Sequence, residues 1–185
     1  MLSHKALEEM TYVAAKKAFT CLFAAHSEDF YYCTLITYGE ATGPTFSAWS
    51  REALDRISRE QSDPLQNGYY KTREQAIYNL KWSYGESPYF CFMDELFEPV
   101  KDAFQARNTF LGTDQWDAEV CGRMQAMENA MIRLDRESVF GTGEARNKVV
   151  VLVEVMPPDW TNTARAKRMN PPEALVEWLA EFDNS

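Results

Sequence analysis

The sequence predicts an α+β fold: a single domain over residues 1–185, with about four mostly antiparallel strands in one sheet and helices packed on it. Three observations carry this. Residues 3–26 and Thr113 to Glu137 repeat apolar side chains at three- and four-residue spacing. Phe30 to Tyr38 is dense in aromatic and β-branched residues, and a turn then leads into Thr45 to Trp49, the outline of a hairpin. Val149 to Val153 is an apolar run with no polar alternation.

In chain order, the first helix carries Leu7, Met10, Ala14, Ala18, Cys21, Leu22 and Ala25 on one face, with Lys5, Glu8, Glu9, Lys16 and Lys17 elsewhere. Gly39 to Pro44 turns the hairpin. Ser50 is placed to cap a short helix, Arg51 to Arg59, whose apolar side is Ala53, Leu54 and Ile57. Ser62 to Gly68, with Asp63-Pro64 and Asn67-Gly68, reads as a loop. Tyr78, Leu80, Trp82 and Tyr84 alternate with polar residues, the period of a half-buried strand; a helix through Arg73 to Leu80 is the competing reading.

Asp94 to Ala106 is helical in pattern, yet Pro99 removes a backbone bond, so the helix either kinks there or starts there with Glu98 as cap. In the long helix Trp116, Val120, Met124, Met127, Met131 and Leu134 form the apolar stripe. The unalternated run Val149 to Val153 needs cover on both faces and is expected as a central strand. A Pro-Pro-Asp turn follows at 157–159, and Pro171-Pro172 opens a last helix burying Leu175, Val176, Trp178 and Leu179.

The 25 aromatic residues exclude a disordered chain, and a chain of 185 residues can bury roughly 70% of the surface its unfolded form exposes. No apolar run reaches the ~20 residues of a membrane span, and the N-terminal residues read as helix, so a soluble, cytoplasmic protein is expected. The four cysteines (Cys21, Cys33, Cys91, Cys121) form no Cys-x-x-Cys pair and are expected as small buried thiols.

Net charge is −9, and it is uneven. Glu86, Asp94, Glu95, Glu98, Asp102, Asp114, Asp117 and Glu119 face only Lys101 and Arg107 across one stretch of chain. That sign repels phosphate backbones and argues against nucleic acid as a partner. These eight acids are the candidate surface for a basic partner; a solvated face kept acidic for solubility is the competing reading.

Catalytic motifs are sparse. His4 and His26 stand at the two ends of the first helix, where capping or solvent-facing roles are the common ones. There is no Gly-x-Ser-x-Gly elbow, and no spacing demands a dyad of His26 with Cys21 or Cys33. Gly141-Thr142-Gly143 precedes a strand instead of joining strand to helix, so it reads as a turn and not as a phosphate loop. Asp94, Glu98 and Asp102 would align on a continuous helix, but one helix face does not supply the convergent oxygens of a metal site. Arg165, Lys167 and Arg168 form a small basic cluster suited to contact with nearby acids. No catalytic residue, cofactor or metal is expected.

The C-terminal block joins an aromatic-glycine turn after a long helix (Phe140-Gly141-x-Gly143-Glu144), Arg146-x-Lys148 leading into an apolar strand, and the helix start Asn170-Pro171-Pro172. Together with Ala14-Ala15-Lys16-Lys17-Ala18, the strand at Phe30 to Tyr38 and Lys81-Trp82-Ser83, it resembles a bacterial family of unknown function (domain of unknown function 4303). That family is counted among immunity proteins of polymorphic toxin systems. The resemblance implies a non-enzymatic partner for one cognate toxin, held inactive in the cytoplasm. Charge would speed such an encounter and aromatic anchors would supply affinity, with Tyr84, Tyr89, Phe90 and Trp116 near the acidic segment. The alternatives are an intracellular adaptor with several weak partners, or a carboxylate-dependent enzyme of another type.

Overall fold

The computed structural model describes residues 2–66, 68–107, 113–158 and 160–182, and of Gln66, Thr113 and Asp114 the backbone only; Asn67 and Asp159, from two expected turns, lie outside the described residues. The elements are α1 (His4–Ala25), β1 (Phe30–Tyr38), β2 (Thr45–Ser50), α2 (Arg51–Ser62), α3 (Arg73–Leu80), α4 (Glu98–Gln105), α5 (Thr113–Arg136), α6 (Gly143–Arg146), β3 (Val150–Met156), α7 (Trp160–Met169) and α8 (Val176–Phe182). Short 3-10 turns lie at Pro64–Gln66, Tyr84–Glu86, Asp94–Leu96 and Pro172–Leu175.

Three helix starts share one device. Ser3, Ser50 and Thr72 sit in extended backbone and accept, through their hydroxyls, the N–H of Ala6, Ala53 and Gln75, satisfying a donor the helix cannot. The expected hairpin forms: β1 and β2 pair antiparallel, with Cys33 opposite Ala48 and Leu35 opposite Phe46. Phe19 of α1 packs on Phe46 at 4.5 Å between ring centres and on Phe140 at 4.9 Å, which fixes α1 against the sheet. Buried Met124, Met127, Met131 and Leu134 line the inner face of α5, as the stripe predicted, and α1 packs along it.

The α+β class holds, but the sheet differs from expectation. Among the described residues it has three strands in the order β2-β1-β3, and it is mixed: β3 runs parallel to β1, with Thr34 opposite Leu152. The expected strand at Tyr78 to Tyr84 is absent. Residues Arg73–Leu80 form α3, and the chain beyond it is fastened by side chains instead of a ladder. Tyr31 Oη donates to the Lys81 carbonyl at 2.6 Å, Trp49 Nε1 to the Ser83 carbonyl at 2.7 Å and Ser47 Oγ to the Tyr84 carbonyl at 2.8 Å.

β3, expected at the centre, is an edge strand whose Val150 to Val153 are nonetheless buried. Its outer rim is closed by side chains. Asn170 accepts the Val151 N–H at 2.8 Å and donates to the Val151 carbonyl at 2.7 Å, as a neighbouring strand would. Asn162 repeats the pattern on Val155 at 2.9 and 3.1 Å, and Arg165 Nε donates to the Val153 carbonyl at 3.0 Å. Arg146 joins them, donating to the Val149 carbonyl at 2.6 Å and to Asn170 Oδ1 at 3.1 Å. Three successive outward-facing peptides are thereby satisfied, so a hydrophobic strand can stand at an edge without exposing unpaired groups.

Local departures have local causes. The last helix is preceded by a 3-10 turn, which shifts its phase: Leu175 and Trp178 are buried, while Val176 is 70% exposed. Gly141 and Gly143 take φ of +95° and +54° and turn the chain between α5 and β3, as expected. The four thiols are free, and Cys33 is buried, but Cys91 and Cys121 are exposed, which corrects the expectation of buried thiols throughout. No described helix is long and apolar enough to cross a membrane.

Candidate functional site

The eight candidate acids do not form one surface. Glu119 is only 7% exposed: it accepts from Arg107 Nε and Nη2, each at 2.5 Å, from Arg123 Nε at 2.9 Å, and contacts His4 Nε2 at 3.0 Å. Hydrogen bonding to Arg107 outweighs the opposing effect of burial and holds its carboxyl down to about 2. It is a fastening between the N-terminus, the end of α4 and α5, and is removed from the candidate surface. Gly122, one turn on, leaves room for the His4 ring: a Cβ there would meet its Cε1 at 2.5 Å.

The helix at Asp94 to Ala106 breaks at buried Phe97, giving a 3-10 turn and then α4, with Pro99 in its first turn where its missing N–H costs nothing. Asp94, Glu98 and Asp102 are therefore not one continuous stripe. Lys101 Nζ draws the first two together at 2.7 and 3.0 Å. Glu86 sits apart, on the 3-10 turn beside β2, and Asp117 is exposed on the first turns of α5; the Asp114 side chain lies outside the described residues. Glu95 and Asp102 are exposed and make no ion pair among the described residues.

Next to the 3-10 turn and α4 that carry Asp94, Glu95, Glu98 and Asp102 lies a groove of about 480 Å³ between α1 and α4, overlooked by the sequence reading. Met10, Val13 and Ala14 form one wall and Leu96, Pro99 and Val100 the other, with Glu9 and Lys17 at its ends. Val13 is 57% exposed, so part of this apolar wall lies open to solvent. Glu95 and Glu98 each immediately precede an apolar wall residue, and Asp102 follows Pro99 by one helical turn. The signal was available in the sequence as Val13 beside the apolar stripe of the first helix. Of the proposed aromatic anchors, Tyr89 is buried with its hydroxyl on Glu28, Tyr84 and Phe90 are half-buried against each other, and Trp116 lies under the Arg123 guanidinium.

A second polar feature was missed. Glu154, in the sequence an interruption at the end of an apolar strand, is half-buried and takes hydrogen bonds from Tyr32 and, at 2.9 Å, from Thr34 Oγ1. Burial pushes its carboxyl above the ordinary range despite those bonds, and the same carboxyl raises the nearby Tyr84 and Tyr32 hydroxyls further.

A family model described as Domain of unknown function (DUF4303) matches residues 12–171. The chain belongs to this family. No curated protein and no solved structure matches it. The DUF4303 match runs from inside α1 to the turn after α7, so it takes in all three strands, the Asn162 and Asn170 edge closure and most of the α1–α4 groove. Arg146 and Asn170, two residues on which the family resemblance rested, meet at that edge.

Proposed function

We propose that this chain is a non-enzymatic binding protein, an immunity protein that captures and silences one cognate bacterial toxin in the cytoplasm. The observation that carries the reading is the apolar groove between α1 and α4, whose α4-side wall residues are neighboured along the chain by Glu95, Glu98 and Asp102. An apolar trough with acidic neighbours suits a partner segment that is apolar at its tip and basic around it. The trough excludes water and supplies affinity, while the acids steer encounter and reject acidic proteins. The resemblance to a family counted among immunity proteins of polymorphic toxin systems supports reading that partner as a toxin.

The test is co-expression with the product of the adjacent gene, with growth as readout. The wild-type chain is expected to restore growth, and Val13→Glu, which places a charge in the groove at an already exposed position, to fail while remaining folded. An adjacent product that is harmless alone would overturn the immunity reading; full protection by Val13→Glu would overturn the groove as the contact.

A carboxylate-dependent enzyme is the second reading, favoured by Glu154 alone: a perturbed acid among tyrosines is a pattern of functional sites. It predicts that Glu154→Gln binds the toxin as well as wild type yet no longer protects, whereas the binding reading predicts undiminished protection.

A further inference from the structure

A second recess, of about 380 Å³, lies between α5 and α7 and shares no lining residue with the α1–α4 groove of the proposed toxin contact. Gly39, just past β1, and Val155, near the end of β3, form its base. Those strands are parallel, so the recess opens at the carboxyl ends of two adjacent parallel strands, the position where sheets with parallel strands commonly take ligands. Its volume falls in the range of small-molecule sites.

The walls carry two unsatisfied capacities. Trp160, the first residue of α7, is 81% exposed, so most of its indole is open to a ligand. Arg168, two turns further along the same helix, donates through Nη2 to both oxygens of buried Glu128 at 3.0 Å. Its Nε and Nη1 make no hydrogen bond among the described residues. The Glu128 pair therefore tethers the half-exposed guanidinium through one nitrogen while leaving donors to spare for a planar anion. Arg165 also lines the recess, so guanidiniums outnumber carboxylates there, the reverse of the chain as a whole.

We propose that this recess binds a small planar aromatic acid, its ring against Trp160 and Met124 and its acidic group on Arg168. Eight residues of helix separate Trp160 from Arg168, about 12 Å along the axis, and the long arginine side chain leans back toward the helix start to close part of that span. A bicyclic ring bearing one carboxylate covers the remainder. The site is independent of the α1–α4 groove.

Cys121 provides the readout, because its exposed thiol lies in the recess wall, while exposed Cys91 does not line the recess and serves as internal control. The full-length protein is alkylated with N-ethylmaleimide in the presence of 2-naphthoate, and each thiol is followed by peptide mass spectrometry. At a ligand concentration about ten times the dissociation constant, Cys121 is expected to react roughly 10-fold more slowly, with Cys91 unchanged. The uncharged 2-naphthamide is expected to give no such protection. Trp160→Ala and Arg168→Lys are expected to lose it; the lysine keeps a cation beside Glu128 and so spares the fold. An unchanged Cys121 rate, equal protection by the amide, or full protection in either folded variant would overturn the proposal. The acid-versus-amide comparison needs no variant at all.

Discussion

Glu119 and Glu154 are both sheltered carboxylates, and they tie stability to pH in opposite senses. Glu119 is held at about 2, chiefly by Arg107, so its folded value lies below its unfolded one. Its contribution is complete above the unfolded value and is lost as pH falls from about 4.5 toward 2. Glu119→Gln should cost on the order of 3 kcal/mol at pH 7, because two buried guanidiniums lose their partner. Urea midpoints should show that cost shrinking as pH falls below 4.5; a constant difference would mean that the ion cluster does not set the titration. Glu154 is raised by burial, so its contribution is complete below the unfolded value and is lost as pH rises through the folded one. Glu154→Gln should therefore gain on wild type between pH 4 and pH 8, and a gain in the other direction would contradict the assignment. Neither behaviour was legible in the sequence. Signs along the chain marked Glu119 as surface charge, because its partners Arg107 and His4 are brought to it only by the packing of α1, α4 and α5.

At the scale of elements, local periodicity was a sound guide wherever one element packs by one face. The stripe of α5, the Ser50 cap and the β1–β2 hairpin all stand where the sequence placed them. The failures come from elements whose surroundings are distant in sequence. The alternation through Trp82 and Tyr84 is real, since Trp82 packs on Tyr31 and Tyr32, but α3 runs to Leu80 and side chains take the carbonyls beyond it. The apolar run of β3 demanded two covered faces and was read as central; burial of an edge strand was invisible because Asn162 and Asn170 replace the missing neighbour. Asn170→Ala leaves the Val151 N–H and carbonyl without partners in a buried setting, and should cost about 3 kcal/mol by urea denaturation. The reopened rim should also promote self-association, visible as concentration-dependent light scattering. A cost below about 0.5 kcal/mol would show that water replaces the amide without penalty.

For the molecule as a whole, the parallel pairing of β1 with β3 joins chain segments more than a hundred residues apart, beyond the reach of any local pattern. The two recesses lie on different elements, one between α1 and α4 and one between α5 and α7 at the carboxyl ends of β1 and β3, and guanidiniums outnumber carboxylates in the second although the chain carries a net charge of −9. The acidic segment was legible as composition; its division into a buried clasp at Glu119, a bridged pair at Lys101 and free acids at Glu95 and Asp102 required the fold. The central claim is that the free acids steer a basic partner to the α1–α4 groove. Its most direct test is the association rate of this chain with the adjacent gene's product, measured by stopped flow from 50 to 300 mM salt. The wild type should associate about 10-fold more slowly at the high end, and Glu95→Lys with Asp102→Lys should lower the low-salt rate and flatten that dependence. A charge-reversed protein that associates at the wild-type rate, with the same salt dependence, would contradict the account.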